Sequence, residues 1–143
     1  MYISTIQFAT PEYDEAVQLR TAVLRAPLGL AFDLDFLSQE YNDTHIVAYA
    51  ENGTLLGILL LTQLDTTTVK MRQVAVHFDY QKKGVGKALV AYSEKYARGE
   101  GYTFMQLNAR STAVVFYQKL GYETVGEEFV EVSIPHFAMR KAL

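Results

Sequence analysis

Apolar and polar positions along this 143-residue chain change their period repeatedly, and the changes mark out its elements. Ile3, Ile6 and Phe8 lie in a short extended run that stops at Thr10-Pro11, a helix cap followed by a proline suited to the first turn. Ala16, Leu19 and Val23, with Val17 and Leu24 beside them, form a helical stripe that ends before Pro27-Leu28-Gly29. Residues 33–41 give a second short helix. From Thr44 to Glu51 and from Thr54 to Leu64 the chain reads as two strands around Asn52-Gly53, the strongest short hairpin signal. A strand over 67–77 follows. Val85, Ala88, Leu89, Tyr92 and Tyr96 then recur at helical spacing until Gly99 and Gly101. Thr103 to Asn108 reads as a strand, Thr112 to Leu120 as a helix stopped by Gly121, and residues 122–143 as two strands broken near Val132-Ser133. This order predicts an α/β fold, a mixed twisted sheet of about six to seven strands with helices on both faces.

The junction between the 67–77 strand and the following helix carries the first chemical signal. Gly84 and Gly86 in Gln81-Lys82-Lys83-Gly84-Val85-Gly86-Lys87 remove Cβ atoms from the backbone, and the first turn of a helix leaves about four N–H groups without internal partners. Those donors favour a phosphate or pyrophosphate. A Walker loop needs glycine five positions before its Gly-Lys pair and Ser or Thr after it, but Gln81 and Ala88 stand there. A dinucleotide fingerprint needs a small residue where Leu89 stands. A plain helix-opening turn with incidental glycines is the competing reading of this segment alone.

Composition narrows the class. The length suits one domain over residues 1–143, burying roughly two thirds of its unfolded surface. Half of the residues are hydrophobic and 20% are charged, as in a globular protein. A net charge of −3 gives no general attraction to nucleic acid or to an anionic membrane, so anion binding has to be local. The absence of cysteine removes disulfides, thiolate catalysis and cysteine-ligated zinc. His45, His77 and His136 form no pair at metal-ligand spacing, and no metal is expected. No basic region followed by an apolar stretch opens the chain, and no segment has the length of a membrane span, so a cytoplasmic protein is expected.

A second segment, Leu107-Asn108-Ala109-Arg110-Ser111-Thr112-Ala113-Val114-Val115-Phe116-Tyr117-Gln118-Lys119-Leu120-Gly121-Tyr122, changes the balance. Gln81-x-x-Gly84-x-Gly86 resembles the Q/R-x-x-G-x-G/A signature of the GNAT superfamily of acyl-CoA-dependent N-acetyltransferases. Ala113-x-x-Phe116-Tyr117-x-Lys119-x-Gly121-Tyr122 is similar to that superfamily's second cofactor motif, in matching order and spacing. The resemblance implies an acetyl-CoA cleft between the strand before the glycine loop and the strand after the long helix. By position, Val74, Ala75 and Val76 would offer backbone groups to the pantetheine arm. Gln81, Lys82, Lys83, Gly84, Val85, Gly86 and Lys87 would cradle the pyrophosphate, and Asn108, Ala113, Phe116 and Tyr117 would complete the cofactor site. The lysines read equally well as a solvated rim, and Asn108 as a cap of the following turn. Arg110 departs from the asparagine many members carry three residues before the alanine.

The resemblance further implies direct acetyl transfer from acetyl-CoA to a primary amine of a small molecule or peptide, without a covalent enzyme intermediate. Tyr117 matches the tyrosine assigned to protonate the departing thiolate, a reasonable match for a phenol of ordinary acidity. His136 and Glu128 are the base candidates on the final strands, with Glu127 and Glu131 nearby. Arg25, Leu28 and Phe32 would wall the acceptor pocket, Arg25 binding an acceptor carboxylate or pairing with Glu40. The alternatives are a module that senses acyl-CoA without turnover and a partner subunit without cofactor. A homodimer is common in the superfamily. The acceptor is not legible, because acceptor pockets vary on one scaffold.

Overall fold

A computed structural model describes all 143 residues. Thr10, extended at φ −114° and ψ 167°, accepts from the Tyr13 N–H, and Pro11 opens helix α1 (Pro11–Arg20), which follows strand β1 (Tyr2–Ile6). Past Arg20 the helix widens into a π turn (Thr21–Arg25) and tightens into a 3₁₀ turn (Ala26–Leu28) that closes at Gly29 with φ +71°. A five-residue helix α2 (Leu34–Ser38) is capped by the Asp33 carboxylate on the Asp35 N–H. Strands β2 (Thr44–Tyr49), β3 (Leu55–Gln63) and β4 (Thr68–Val76) follow, then α3 (Val85–Gly99), β5 (Phe104–Arg110), α4 (Val114–Lys119), β6 (Glu123–Thr124), β7 (Phe129–Glu131) and β8 (Ile134–Ala142).

The strands form one sheet in the order β1-β2-β3-β4-β5-β8-β6, with β7 also pairing β8. Every pairing is antiparallel except β4 with β5. The eighth strand exceeds expectation because Gly126, at φ +81°, interrupts the penultimate strand, leaving β6 and β7 as short pieces along one edge of β8. The β2–β3 turn also differs in detail. Gly53 donates to the Ala50 carbonyl at 2.9 Å with φ +89°, and the register slips between Ala48 and Tyr49, so the loop spans Ala50 to Gly53 rather than Asn52-Gly53 alone.

β3 is buried over seven consecutive residues, Leu55 to Leu61, because helices cover both of its faces. Leu59 and Leu61 join Val69, Met71, Met105, Leu107 and Met139 under α3 and α4, whereas Ile58 and Leu60 join Ala16, Val47 and Ala75 under α1. Two polar networks brace these layers. On one side Arg20, fully buried, grips Glu40 through two bonds of 2.7 Å, while the Tyr13 hydroxyl donates to Glu40 at 2.8 Å. Glu40 therefore pairs with Arg20, and Arg25 is left free of it. On the other side the buried Glu94 of α3 accepts from the Tyr122 hydroxyl at 2.8 Å and from Lys141 Nζ at 3.0 Å. No helix is long and apolar enough to cross a membrane.

Candidate active site

The site begins where the parallel pair comes apart. β4 and β5 are in register from Thr68 with Phe104 to Met71 with Leu107, and beyond that rung they have no pairing with one another. The parting coincides with a bulge in β4. Leu60 faces Arg72 while Ile58, two residues earlier, faces Ala75, so β4 carries one residue more than β3, and Gln73 takes up the excess at φ +57°. A non-glycine residue there is strained by about 1 kcal/mol or more. The backbone of Val74 to Val76 consequently lines an open slot, facing Asn108 to Arg110 of β5, which pair only with β8.

At the mouth of the slot the chain makes its glycine loop. Lys82 and Gly84 both adopt positive φ, +60° and +86°, and Gly84 opens α3. The N–H groups of Lys82, Lys83, Gly84, Val85, Gly86 and Lys87 have no acceptor within the protein; the first helical bond runs from Ala88 to the Gly84 carbonyl at 3.0 Å. Such a run of unpaired donors at a helix start has the character of an anion cradle. A Cβ added at Gly86 would meet only Phe116 Cζ at 3.5 Å and Val76 Cγ2 at 3.7 Å, ordinary contacts, so internal packing does not require glycine there. Gln81 acts as a latch, its Nε2 donating to the Val76 carbonyl at 3.0 Å.

Below the mouth lies a cavity of about 360 Å³ whose wall includes Val74, Asn108, Ala113 and Tyr117 of the expected cofactor set, together with Arg25 and His136. The Asn108 amide does not cap the turn after it, since Arg110 precedes that 3₁₀ turn and no side chain bonds to it. Tyr117 is buried, its ring packed edge-on against Phe116 and Tyr122 at centroid distances of 5.0 and 5.8 Å. Its hydroxyl makes no hydrogen bond within the protein, and burial pushes its pKa up to about 12. The phenol therefore stays protonated, and it is a weaker acid than the ordinary phenol assumed from sequence.

His136 sits on β8 opposite Arg110, 4% exposed, with Phe129 stacked on its ring at 5.9 Å. Its Nδ1 lies 2.7 Å from the Ile134 carbonyl, which can only accept, so Nδ1 carries a proton and Nε2 is the ring nitrogen left to exchange one. The Glu131 carboxylate is 3.6 Å from that nitrogen.

Other expected residues lie elsewhere. Glu128 is exposed in the loop before β7, and Leu28, 36% exposed, is outside the cavity. Phe32 stands behind the wall, with the Arg25 guanidinium 4.4 Å from its ring centre. Phe116 is 39% exposed at the mouth, beside Gly86. The cavity wall also holds Lys70, Arg72, Gln73 and Arg110, which the sequence motifs did not bring forward as site residues. Gln73 Oε1 is buried there without a hydrogen-bond partner. For Lys70, Arg72 and Gln73 only alternation along β4, disturbed by an invisible bulge, could have pointed to the site; for Arg110 the signal was its departure from the motif.

Comparison with known proteins gives this geometry a lineage. A Bacillus subtilis protein provisionally named an acetyltransferase is 32% identical over 133 residues, covering 88% of this chain and 86% of its own. A solved structure provisionally named an N-acetyltransferase, from Lactobacillus plantarum, superposes with a TM-score of 0.86 at 24% identity, over 100% of this chain and 99% of that one. An aminoglycoside 6′-N-acetyltransferase solved with coenzyme A superposes with a TM-score of 0.82 at 19% identity, over 99% and 97% of the two chains. Residues 30–143 match the family model described as the acetyltransferase (GNAT) domain. The glycine loop, the parted strands and most of the cavity wall fall inside that matched stretch, and the chain belongs to the GNAT family of acetyltransferases.

Proposed function

We propose that this protein transfers the acetyl group of acetyl-CoA directly to a primary amine of a small molecule or peptide. The observation that carries the reading is the run of six unpartnered N–H groups from Lys82 to Lys87, placed at the mouth of the slot between β4 and β5. That run suits a pyrophosphate, the slot suits an extended amide chain with its own donors and acceptors, and the cavity below suits the reacting groups. A structural neighbour of the same fold was solved with coenzyme A, which supports the choice of cofactor. Lys82, Lys83 and Lys87 add positive charge at the cradle, and the bare amide of Asn108 and the backbone of Val74 and Val76 would hold the arm.

Acetyl-CoA supplies the activated acyl group. Making the C–N bond and breaking the C–S bond leaves the protein two tasks: removing a proton from the amine and stabilising the sulfur as charge develops on it. His136 Nε2 is suited to the first, with its tautomer fixed by Ile134. Tyr117 is suited to the second. Full proton transfer from a phenol near 12 to a thiolate near 8.5 would be uphill by about 5 kcal/mol, unless burial raised the thiolate as well. Tyr117 therefore acts foremost as a hydrogen-bond donor to the developing thiolate.

Titration calorimetry with acetyl-CoA and desulfo-CoA, followed by thiol-release assays over an amine panel, tests the reading. Micromolar binding with amine-dependent thiol release is expected, and folded protein that binds neither ligand overturns it. Tyr117→Phe removes no bond within the protein, so stability should hold while kcat falls roughly 10- to 150-fold, the worth of a hydrogen bond to a charged group. Binding without turnover for any amine would favour an acyl-CoA sensor.

A further inference from the structure

The wall of the cavity away from the glycine loop carries positive charge that the protein leaves unneutralised. Arg25, at the end of the π turn, and Arg110, at the end of β5, both aim a guanidinium nitrogen at the same atom, the Leu24 carbonyl oxygen, at 3.2 and 3.1 Å. Two cations thus converge on one neutral acceptor. Neither belongs to any ion pair, whereas the neighbouring Arg20 and Arg72 are paired with Glu40 and Asp43. Lys70 lies on the same sheet face as Arg110, lines the same cavity and has neither an ion pair nor a hydrogen bond. Glu131 is the acidic member of this wall, and its carboxylate is turned to His136.

Such an arrangement has a cost. Burial, then the nearby charges of Arg110 and Arg20, lowers the pKa of Arg25, with Glu131 opposing. Holding two guanidinium groups together without a counterion is unfavourable, and a planar anion accepting from both forks would remove the repulsion. Phe32, 4.4 Å from Arg25, holds that side chain in place, so the pair is set before any ligand arrives.

We propose that the acceptor is an amino carboxylate, a small amine whose carboxylate is clamped by Arg25 and Arg110 while its amino group faces His136. This rests on the acyl-transfer reading above and narrows it to a substrate class. Arg110 is the cross-strand partner of His136 and both line the same cavity, so one short molecule spans the clamp and the imidazole.

The test uses matched acceptors in the thiol-release assay: amino acids, the same amino acids as primary amides, and their decarboxylated amines. The carboxylate member of each set should have the highest kcat/KM, by about 10-fold or more. Arg110→Gln and Arg25→Gln should each raise KM for the carboxylate acceptor about 10-fold or more and erase its advantage. Their acetyl-CoA affinity, measured by calorimetry, should stay within about twofold of the parent, which also shows that they are folded. Arg110→Lys, which keeps charge but not the fork, should fall between. Amide or amine acceptors used equally well, or variants that keep the selectivity, would overturn the clamp while leaving acetyl transfer intact. A preference for succinyl-CoA over acetyl-CoA, abolished in Arg110→Gln, would overturn it by moving the anion to the donor. Failure to bind acetyl-CoA at all would overturn the acyl-transfer reading and the clamp together.

Discussion

Replacing Glu40 by glutamine would remove one charge from a site with no room for the other. Arg20 is 0% exposed and Glu40 2%, and their two bonds of 2.7 Å are the only ion pair the guanidinium has, beside the Phe32 ring 4.6 Å away. The pair is not fully satisfied even now, since Arg20 Nε is buried without a partner. Breaking a buried pair on one side costs about 3–5 kcal/mol, because the remaining charge stays desolvated. At about 4 °C per kcal/mol for a domain of this size, Tm should fall by roughly 12–20 °C. The double substitution Arg20→Met with Glu40→Gln should recover most of that loss, because the stranded charge disappears. The pH dependence has a definite sign. Burial alone would raise the Glu40 carboxyl, but the Arg20 bonds and charge and the Tyr13 hydroxyl outweigh it and hold the pKa below the ordinary value. The stabilisation is therefore complete above the ordinary carboxylate range and is lost as pH falls through the lowered value. Thermal melts of the three proteins between pH 3 and 8 give the measurement. A fall in Tm below about 4 °C for Glu40→Gln, or a double variant no better than the single one, would refute the reasoning.

Two further outcomes follow from the packing and the cradle. Gly57→Ala places a Cβ 2.8 Å from Leu89 Cδ1, 3.1 Å from the Ala75 carbonyl and 3.2 Å from Val85 Cγ1, which should destabilise by about 1–3 kcal/mol in urea unfolding; an unchanged midpoint would mean that β3 and α3 are looser than they look. Lys82→Gln with Lys83→Gln should weaken acetyl-CoA binding roughly 2- to 30-fold at low salt and hardly at all near 1 M, where screening removes exposed charge effects. Equal affinity at low salt would make both lysines part of a solvated rim.

The periodic elements were legible because each has a period that burial enforces. Thr10-Pro11 announced α1, the apolar run within Thr54 to Leu64 announced β3, and the glycines at 84 and 86 announced the loop that opens α3. The cradle was legible for the same reason, since it is made of backbone. The acceptor wall was not. Lys70, Arg72 and Arg110 alternate with buried residues like any solvated strand face, and only the bulge at Gln73 and the parting of β4 from β5 turn that face into a cavity. Arg20 and Arg25 fall in one helical segment of the sequence, yet one closes on Glu40 and the other faces the cavity, and the helix changes pitch between them. Tyr117 was found by motif, but its raised pKa depends on neighbours, Phe116 and Tyr122, whose packing no spacing rule supplies.

The four rungs that join β4 to β5 have a mechanical consequence. They are the seam between two smaller sheets, β1 to β4 on one side and β5 with β6, β7 and β8 on the other. Past Met71 and Leu107 no backbone pairing joins the halves, so the seam ends in an open jaw. A linear ligand laid along the jaw, bonding to Val74 and Val76 on one lip and reaching Asn108 on the other, would extend the seam and stiffen both halves at once. Slowed amide exchange in β4 and β5, beyond the residues in direct contact, is the signature such bracing would leave.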